Sequence, residues 1–329
     1  MMNITHRPRR NRQTEVIRSL VRESHLGPEH LIAPLFVIDG QNQKVAIASM
    51  PGQFRLSIDE LIKEAKELYD LGVKTVALFP AVDEKFKTPD AREAYNPEGV
   101  NARAIRALKE ALPDLVIVAD IALDPYSSDG HDGLVDPKTG EILNDESLEV
   151  LAKQALCSAV AGADIVAPSD MMDGRIGYLR SALDQEGYSK TLIMSYSVKY
   201  ASGYYGPFRD ALGSAPKKGD KKTYQMDPAN GTEALREAAL DEAEGADILM
   251  VKPGLPYLDV IYRLKQNFAL PIAAYNVSGE YAMVKAAAQN GWLDNDKVVL
   301  ETLTSFRRAG ADIILTYFAK EAAILLRKK

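Results

Sequence analysis

Lys252 closes the segment ADILMVKPG, residues 246–254, where the apolar residues Ile248, Leu249, Met250 and Val251 run directly into an ammonium and then into Pro253 and Gly254. A run without period-two alternation reads as a strand covered on both faces. Pro253 cannot donate to a ladder and Gly254 permits a turn, so the strand stops there and leaves Lys252 at its carboxyl end, where α/β folds place their chemistry. A lone lysine at such a position can equally snorkel into water, so its neighbours decide. A second lysine, Lys199, follows the run Thr191–Tyr196. If the two strands are adjacent, their axes lie roughly 5 Å apart. Two ammoniums in one partly desolvated mouth disfavour each other's charge, which lowers at least one pKa towards neutrality and frees an amine nucleophile. That is chemistry for a carbonyl substrate. The competing reading is two independent surface lysines.

Other polar residues fall at the ends of apolar runs: Asp120 and Asp124, Ser169 and Asp170, Ser197, Ser278 and Tyr317. The stretch DIALDPYSSDGHDG, residues 120–133, holds four carboxylates and His131. Asp-Gly pairs are turn formers, which is the plainer reading of Asp129 and Asp132. If a metal binds here, hard oxygen ligands suit magnesium better than zinc.

Positioning these groups requires a scaffold, and the chain supplies a regular one. Eight apolar runs, Ile32–Val37, Thr75–Phe79, Leu115–Leu123, Ile165–Ala167, Thr191–Tyr196, Ile248–Val251, Pro271–Val277 and Ile313–Phe318, alternate with segments of helical spacing. The helical segments are Ser57–Leu71, Asn101–Leu112, Ser147–Ala161, Thr232–Glu244, Tyr257–Phe268, Glu280–Asn290 and Lys297–Ala309. Ser57 and Glu60 stand in capping-box spacing at the first of them. The tetrapeptide Gly-Ala-Asp-Ile recurs at 162–165, 245–248 and 310–313, where a glycine ends a helix in the left-handed conformation and a strand begins. Eight such units predict a (β/α)8 TIM barrel over residues 31–329. A doubly wound open sheet is the runner-up, weakened because no GxGxxG follows the first run.

Residues 1–30, basic and polar with Arg7, Arg9, Arg10 and Arg12, read as an arm that lies on a neighbouring subunit. Residues 200–231 form a long insertion after the fifth run, rich in glycine and lysine but carrying Tyr204, Tyr205, Phe208 and Tyr224. The aromatic residues argue against disorder, so this segment reads as a lid over an anionic substrate.

Composition narrows the class. A chain of 329 residues with net charge −6 argues against nucleic acid as a main partner, and no apolar run reaches the length of a membrane helix. No secretory signal is visible, so a cytoplasmic location is expected. The single cysteine, Cys157, excludes an internal disulfide and a multi-cysteine zinc site, and reads as a small buried thiol in a helix.

Several motifs carry a resemblance: MVKPG at 250–254, MSYSVKYASGYYGPFRDA at 194–211, APSDMMDGR at 167–175 and DPANGTEALRE at 227–237. Together they resemble the porphobilinogen synthase family, also called delta-aminolevulinic acid dehydratase. The likeness runs from the RPRR arm to the last strand. It implies condensation of two 5-aminolevulinate molecules to porphobilinogen with loss of two waters, in tetrapyrrole (heme and chlorophyll) biosynthesis. By this likeness Lys252 forms the Schiff base with the substrate that becomes the propionate side, and Lys199 holds the other. Ser278 and Tyr317 match the binders of the first carboxylate, and Arg209, Lys221 and Gln225 those of the second; Asp120, Ser169 and Phe208 complete the expected substrate site. Zinc-dependent members carry three cysteines where this sequence has Ala122, Asp124 and Asp132, so the resemblance is to the aspartate-rich type, without active-site zinc. Whether Asp124 and Asp132 hold a cation or a substrate amine is left open. The likeness further implies a magnesium site outside the active site, with Glu237 as ligand and Asp170 and Arg175 as outer partners, allosteric stimulation, and a homo-octamer held by the arms. Another Schiff-base barrel lyase such as an aldolase, or a non-catalytic assembly protein, are the alternatives.

Overall fold

The structure is a computed structural model and describes residues 4–328. Eight strands close into one parallel barrel: β1 Leu31–Val37, β2 Thr75–Pro80, β3 Val116–Ile121, β4 Ile165–Pro168, β5 Leu192–Lys199, β6 Ile248–Lys252, β7 Ile272–Asn276 and β8 Ile313–Thr316. Each pairs with the next, and β8 returns to β1 through Leu31 opposite Ile314. The eight apolar runs are these eight strands. Their burial on both faces follows from a layer of helices outside and packed side chains within.

The repeated Gly-Ala-Asp joint does more than end helices. Gly162, Gly245 and Gly310 adopt φ of 107°, 103° and 111°, which a side chain would strain. The aspartate that follows each reaches back to the start of the preceding strand. Asp164 accepts from the Ile117 N–H at 2.8 Å, Asp247 from Ile193 at 2.7 Å and Asp312 from Ile272 at 2.9 Å. Three of the eight strand pairs are thereby stitched at the bottom of the barrel.

The expected helices are present at Ile58–Asp70, Val100–Ala111, Asn144–Ala161, Glu233–Ala243, Leu258–Asn267, Ser278–Gln289 and Asn295–Ala309. Sequence reasoning missed the helices Arg175–Gln185, between β4 and β5, and Ala319–Arg327, after β8. It also missed a short antiparallel pairing of Lys44–Ala46 with Phe54–Leu56 that flanks β1. That pairing overturns the capping box: the Ser57 hydroxyl receives the Gln43 N–H at 2.9 Å and bonds Asp59 at 2.6 Å, while Glu60 pairs with Lys63. Cys157 lies in a helix as expected but is only partly buried. Among the described residues no helix is long and apolar enough to cross a membrane.

The described part of the arm, residues 4–30, carries a helix at Glu15–Leu20 with no buried residue. The insertion after β5 is ordered into a lid, with a short helix at Gly206–Leu212.

Candidate active site

The carboxyl ends of β5 and β6 bring the two lysines together, with Lys252 directly opposite Lys199 in the parallel register. Both are buried, at 6% and 5% exposure. Among the described residues no carboxylate stands within ion-pair distance of the Lys252 ammonium, which is instead ringed by aromatic faces: Tyr275 at 4.8 Å, Tyr196 at 5.0 Å, Phe208 at 5.1 Å and Tyr205 at 5.3 Å. Burial lowers its pKa to about 7, with the charge of Lys199 as the next contributor. The sequence expectation of one amine brought near neutrality therefore holds, but burial outweighs like-charge repulsion.

Asp120, on β3, is the complementary group. Burial raises it to about 7 against the pull of Lys252, and its Oδ1 has no hydrogen-bond partner among the described residues. A carboxyl and an amine that both titrate near neutral pH and line one cavity can exchange a proton with a reacting group held there.

Lys199 is held differently. It donates to the Ser169 carbonyl and lies 3.3 Å from Asp132 Oδ2. Asp132 also takes the Lys221 ammonium at 2.8 Å on Oδ1 and Gln225 Nε2 at 3.4 Å on Oδ2. Burial alone would raise Asp132, but Lys199 and Lys221 outweigh it and hold the carboxyl well below the usual carboxylate range. Asp124, which shares Lys221 at 3.3 Å, is raised by burial. The reading of Asp132 as a turn residue is thus overturned: it is 1% exposed and bridges two ammoniums, because its loop folds inward under the lid. His131 beside it bonds the lid, with Nε2 2.9 Å from the Lys218 carbonyl and Nδ1 3.1 Å from the Tyr224 hydroxyl.

The lid is closed. The Tyr205 hydroxyl donates to the carbonyls of Tyr200 and Lys252 at 2.8 and 3.1 Å, and the Phe208 N–H donates to Ser278 Oγ at 3.0 Å. Beneath it remains a cavity of about 30 Å³, the room of one water, lined by Asp120, Asp124, Asp132, Ser169, Lys199, Phe208, Arg209, Lys221, Gln225 and Lys252. Ten of the expected residues thus converge on one space. Ser278 and Tyr317 lie beside it, Ser278 through Phe208 and Tyr317 through a 2.9 Å contact between its hydroxyl and that of Tyr275. Sequence reasoning did not single out Tyr196 and Tyr275, which lie in strands buried on both faces. It also missed Ser214, which lines the same cavity.

Glu237 faces a separate cleft of about 370 Å³ shared with Asp173, Asp227 and Glu233. Burial raises its carboxyl, opposed by Arg236 at 3.6 Å. Among the described residues no three His, Cys, Asp or Glu side chains converge as a metal cage, so the donor set there fits only a hydrated cation held through one or two carboxylates. Asp170 and Arg175 are buried away from solvent. Asp170 accepts the Met172 N–H at 2.7 Å, and Arg175 donates to Asp241 at 3.3 Å, Ser195 at 3.2 Å and the Tyr196 carbonyl at 3.4 Å.

Fold and site define a class: a (β/α)8 barrel enzyme whose mouth, under a closed lid, is built for amine–carbonyl chemistry. The family description "Delta-aminolevulinic acid dehydratase" matches residues 5–325. Similar proteins of that name include one from Synechococcus elongatus, 55% identical over 97% of this chain and 98% of its own length, and a chloroplastic one from Chlamydomonas reinhardtii, 55% identical over 98% and 84%. A crystal structure of the Toxoplasma gondii delta-aminolevulinic acid dehydratase (porphobilinogen synthase), in complex with the reaction product porphobilinogen, superposes with a TM-score of 0.96 at 57% identity, covering 98% of this chain and 91% of that one. The chain belongs to the delta-aminolevulinic acid dehydratase family.

Proposed function

We propose that this protein condenses two molecules of 5-aminolevulinate to porphobilinogen with loss of two waters. The observation that carries the reading is the pair of buried lysines in register at the mouth of β5 and β6, one of them brought to about 7. At neutral pH roughly half of such an amine is free, against about one in three thousand for an ordinary lysine. The free Lys252 amine attacks a ketone carbon, and the carbonyl oxygen leaves as water after protonation, for which Asp120 is the adjacent acid. The resulting iminium is cationic, and the four rings that face Lys252 favour that charge.

Lys199, pinned between Ser169 and Asp132, receives the second substrate. Asp124 and Asp132, which here hold the Lys221 ammonium, would take that substrate's amine. Arg209, Lys221 and Gln225 on the lid would take its carboxylate, and Ser278 and Tyr317 that of the first substrate.

The test is borohydride reduction in the presence of 5-aminolevulinate, followed by peptide mass spectrometry. A reduced adduct on Lys252, with or without one on Lys199, and loss of turnover in Lys252→Ala are expected. A Lys252→Ala variant with near-normal turnover would sink the mechanism.

Three finer points belong to the same proposal. Magnesium held in large part by its own water at Glu237 would stimulate from outside the active site; chelation should lower activity, magnesium but not zinc should restore it, and Glu237→Ala should remove the response. The assembly would be a homo-octamer joined by the arms. The location would be the cytoplasm, on the sequence reading alone; plant relatives named as chloroplastic make cell fractionation the deciding measurement.

A further inference from the structure

Pro253 has no N–H, so the first backbone donors after Lys252 are those of Gly254 and Leu255. Both point at one atom, Oε1 of Glu280, at 3.2 and 3.1 Å. The other carboxylate oxygen accepts from Asn276 Nδ2 at 2.6 Å. Asn276 Oδ1 in turn accepts the Thr316 hydroxyl at 2.8 Å, and Thr316 Oγ1 accepts the Phe318 N–H at 3.1 Å. One hydrogen-bonded chain therefore crosses the carboxyl ends of β6, β7 and β8, and its three side chains are at most 1% exposed.

No lysine or arginine pairs with Glu280 among the described residues; burial raises its carboxyl, while the N–H donors of Gly254, Leu255 and Asn276 that face both of its oxygens favour the ionised form. A buried carboxylate without a cation is a costly way to fill space, since an apolar side chain would pack there without the desolvation. What the carboxylate supplies is direction. Its two oxygens each face N–H donors, one set on the Lys252 turn and one on Asn276. The opposite side of the turn is closed as well, because a Cβ on Gly254 would meet a Phe306 ring carbon at 2.3 Å. The far ends of the chain adjoin the first-carboxylate residues: Ser278 lies two positions before Glu280, and Tyr317 sits between Thr316 and Phe318.

We propose that Glu280 is a positioning residue, which holds the turn after Lys252 in fixed relation to Ser278 and Tyr317 so that the amine meets the ketone of a substrate anchored by its carboxylate. This rests on the function proposed above. Misplacement of a nucleophile by about 1 Å can cost on the order of a hundredfold in rate, so the chain matters to chemistry as well as to folding.

Exchanging the partners tests the idea. In Glu280→Gln the amide offers one oxygen and sets its NH2 against other N–H donors. In Asn276→Asp two carboxylates face each other. The double variant Asn276→Asp with Glu280→Gln restores every bond with the charge moved one residue along the chain. Gly254 and Leu255 then donate to the amide oxygen introduced at position 280, and the amide NH2 donates to the carboxylate introduced at position 276. Thr316 donates to the other oxygen of that carboxylate. Each single change should slow borohydride-trapped adduct formation at Lys252 by about tenfold or more, with a smaller change in KM, and the double variant should recover to within about threefold of the unmodified protein. A single variant trapped at the normal rate would overturn the proposal. So would a double variant that regains thermal stability yet stays slow. If Glu280→Gln does not fold, the double variant and Thr316→Val, which removes the far link, carry the test: a Thr316→Val protein trapped at the normal rate counts against the chain. Should the unmodified protein itself show no adduct, the functional reading fails separately. Acetylation of Lys252 by acetic anhydride, which needs no substrate, then decides: faster labelling in Glu280→Gln, reversed in the double variant, supports the clamp, and unchanged labelling overturns it.

Discussion

Burying Lys252 costs free energy, and the groups that set this cost also set its reactivity. The amine titrates near 7 in the folded protein against an ordinary 10.5. Across that window the unfolded chain binds the extra proton, so this residue's contribution to stability rises with pH from about 7 to 10.5 and is flat below it. Four rings at 4.8–5.3 Å also favour the cation, by on the order of 0.5–2 kcal/mol each. After burial, Lys199 pushes the pKa down and Asp120 pulls it up. Lys199→Met should therefore move the midpoint of Lys252 acetylation above 7, and Asp120→Asn should move it below. The rate of labelling against pH reads both. A midpoint unmoved in either variant would mean that burial alone sets it.

At the scale of elements, the barrel was legible because its strands are mainly apolar runs and its joints repeat a glycine. The lysines and strand-end hydroxyls were legible for the same reason, since a polar residue that ends such a run stands out. The ring cage was not. Tyr196 and Tyr275 sit in strands buried on both faces, where no alternation tells an inward side chain from an outward one. The inward turn of Asp132 was also hidden, because Asp-Gly reads as a surface turn until the lid above it is known. The lid in turn depends on the short antiparallel pairing beside β1: Arg55 donates to the carbonyls of Asp210 at 2.7 Å and Ala211 at 2.5 Å, and Ser49 bonds the Asp210 carboxylate at 2.6 Å. Arg55→Ala should accelerate amide hydrogen exchange over residues 206–220 several-fold and raise KM, while leaving Lys252 trapping at saturating substrate close to normal. Exchange at the normal rate in that variant would show that the lid is held by its contacts to Tyr200, Lys252 and Ser278 alone.

At the scale of the whole molecule, the arm is the part the single chain does not explain. Its helix Glu15–Leu20 spans 6 residues, well short of the roughly 12–15 at which an isolated helix becomes marginally stable. Val16 and Leu20, one turn apart and so on one face, are 78% and 83% exposed. An apolar stripe of this kind is stable only when covered, and no described residue of the same chain covers it. The arm is also basic, with Arg7, Arg9, Arg10 and Arg12, on a molecule of net charge −6, which favours the proposed seat on a second copy. Removal of residues 1–27 should lower the mass seen by sedimentation velocity to that of smaller assemblies. The intact protein should shift the same way as salt rises, because the charged part of the attachment is screened while the apolar part is not. A truncated chain that sediments with the full assembly would place the oligomeric contacts on the barrel itself, and Val16 and Leu20 would then need another partner.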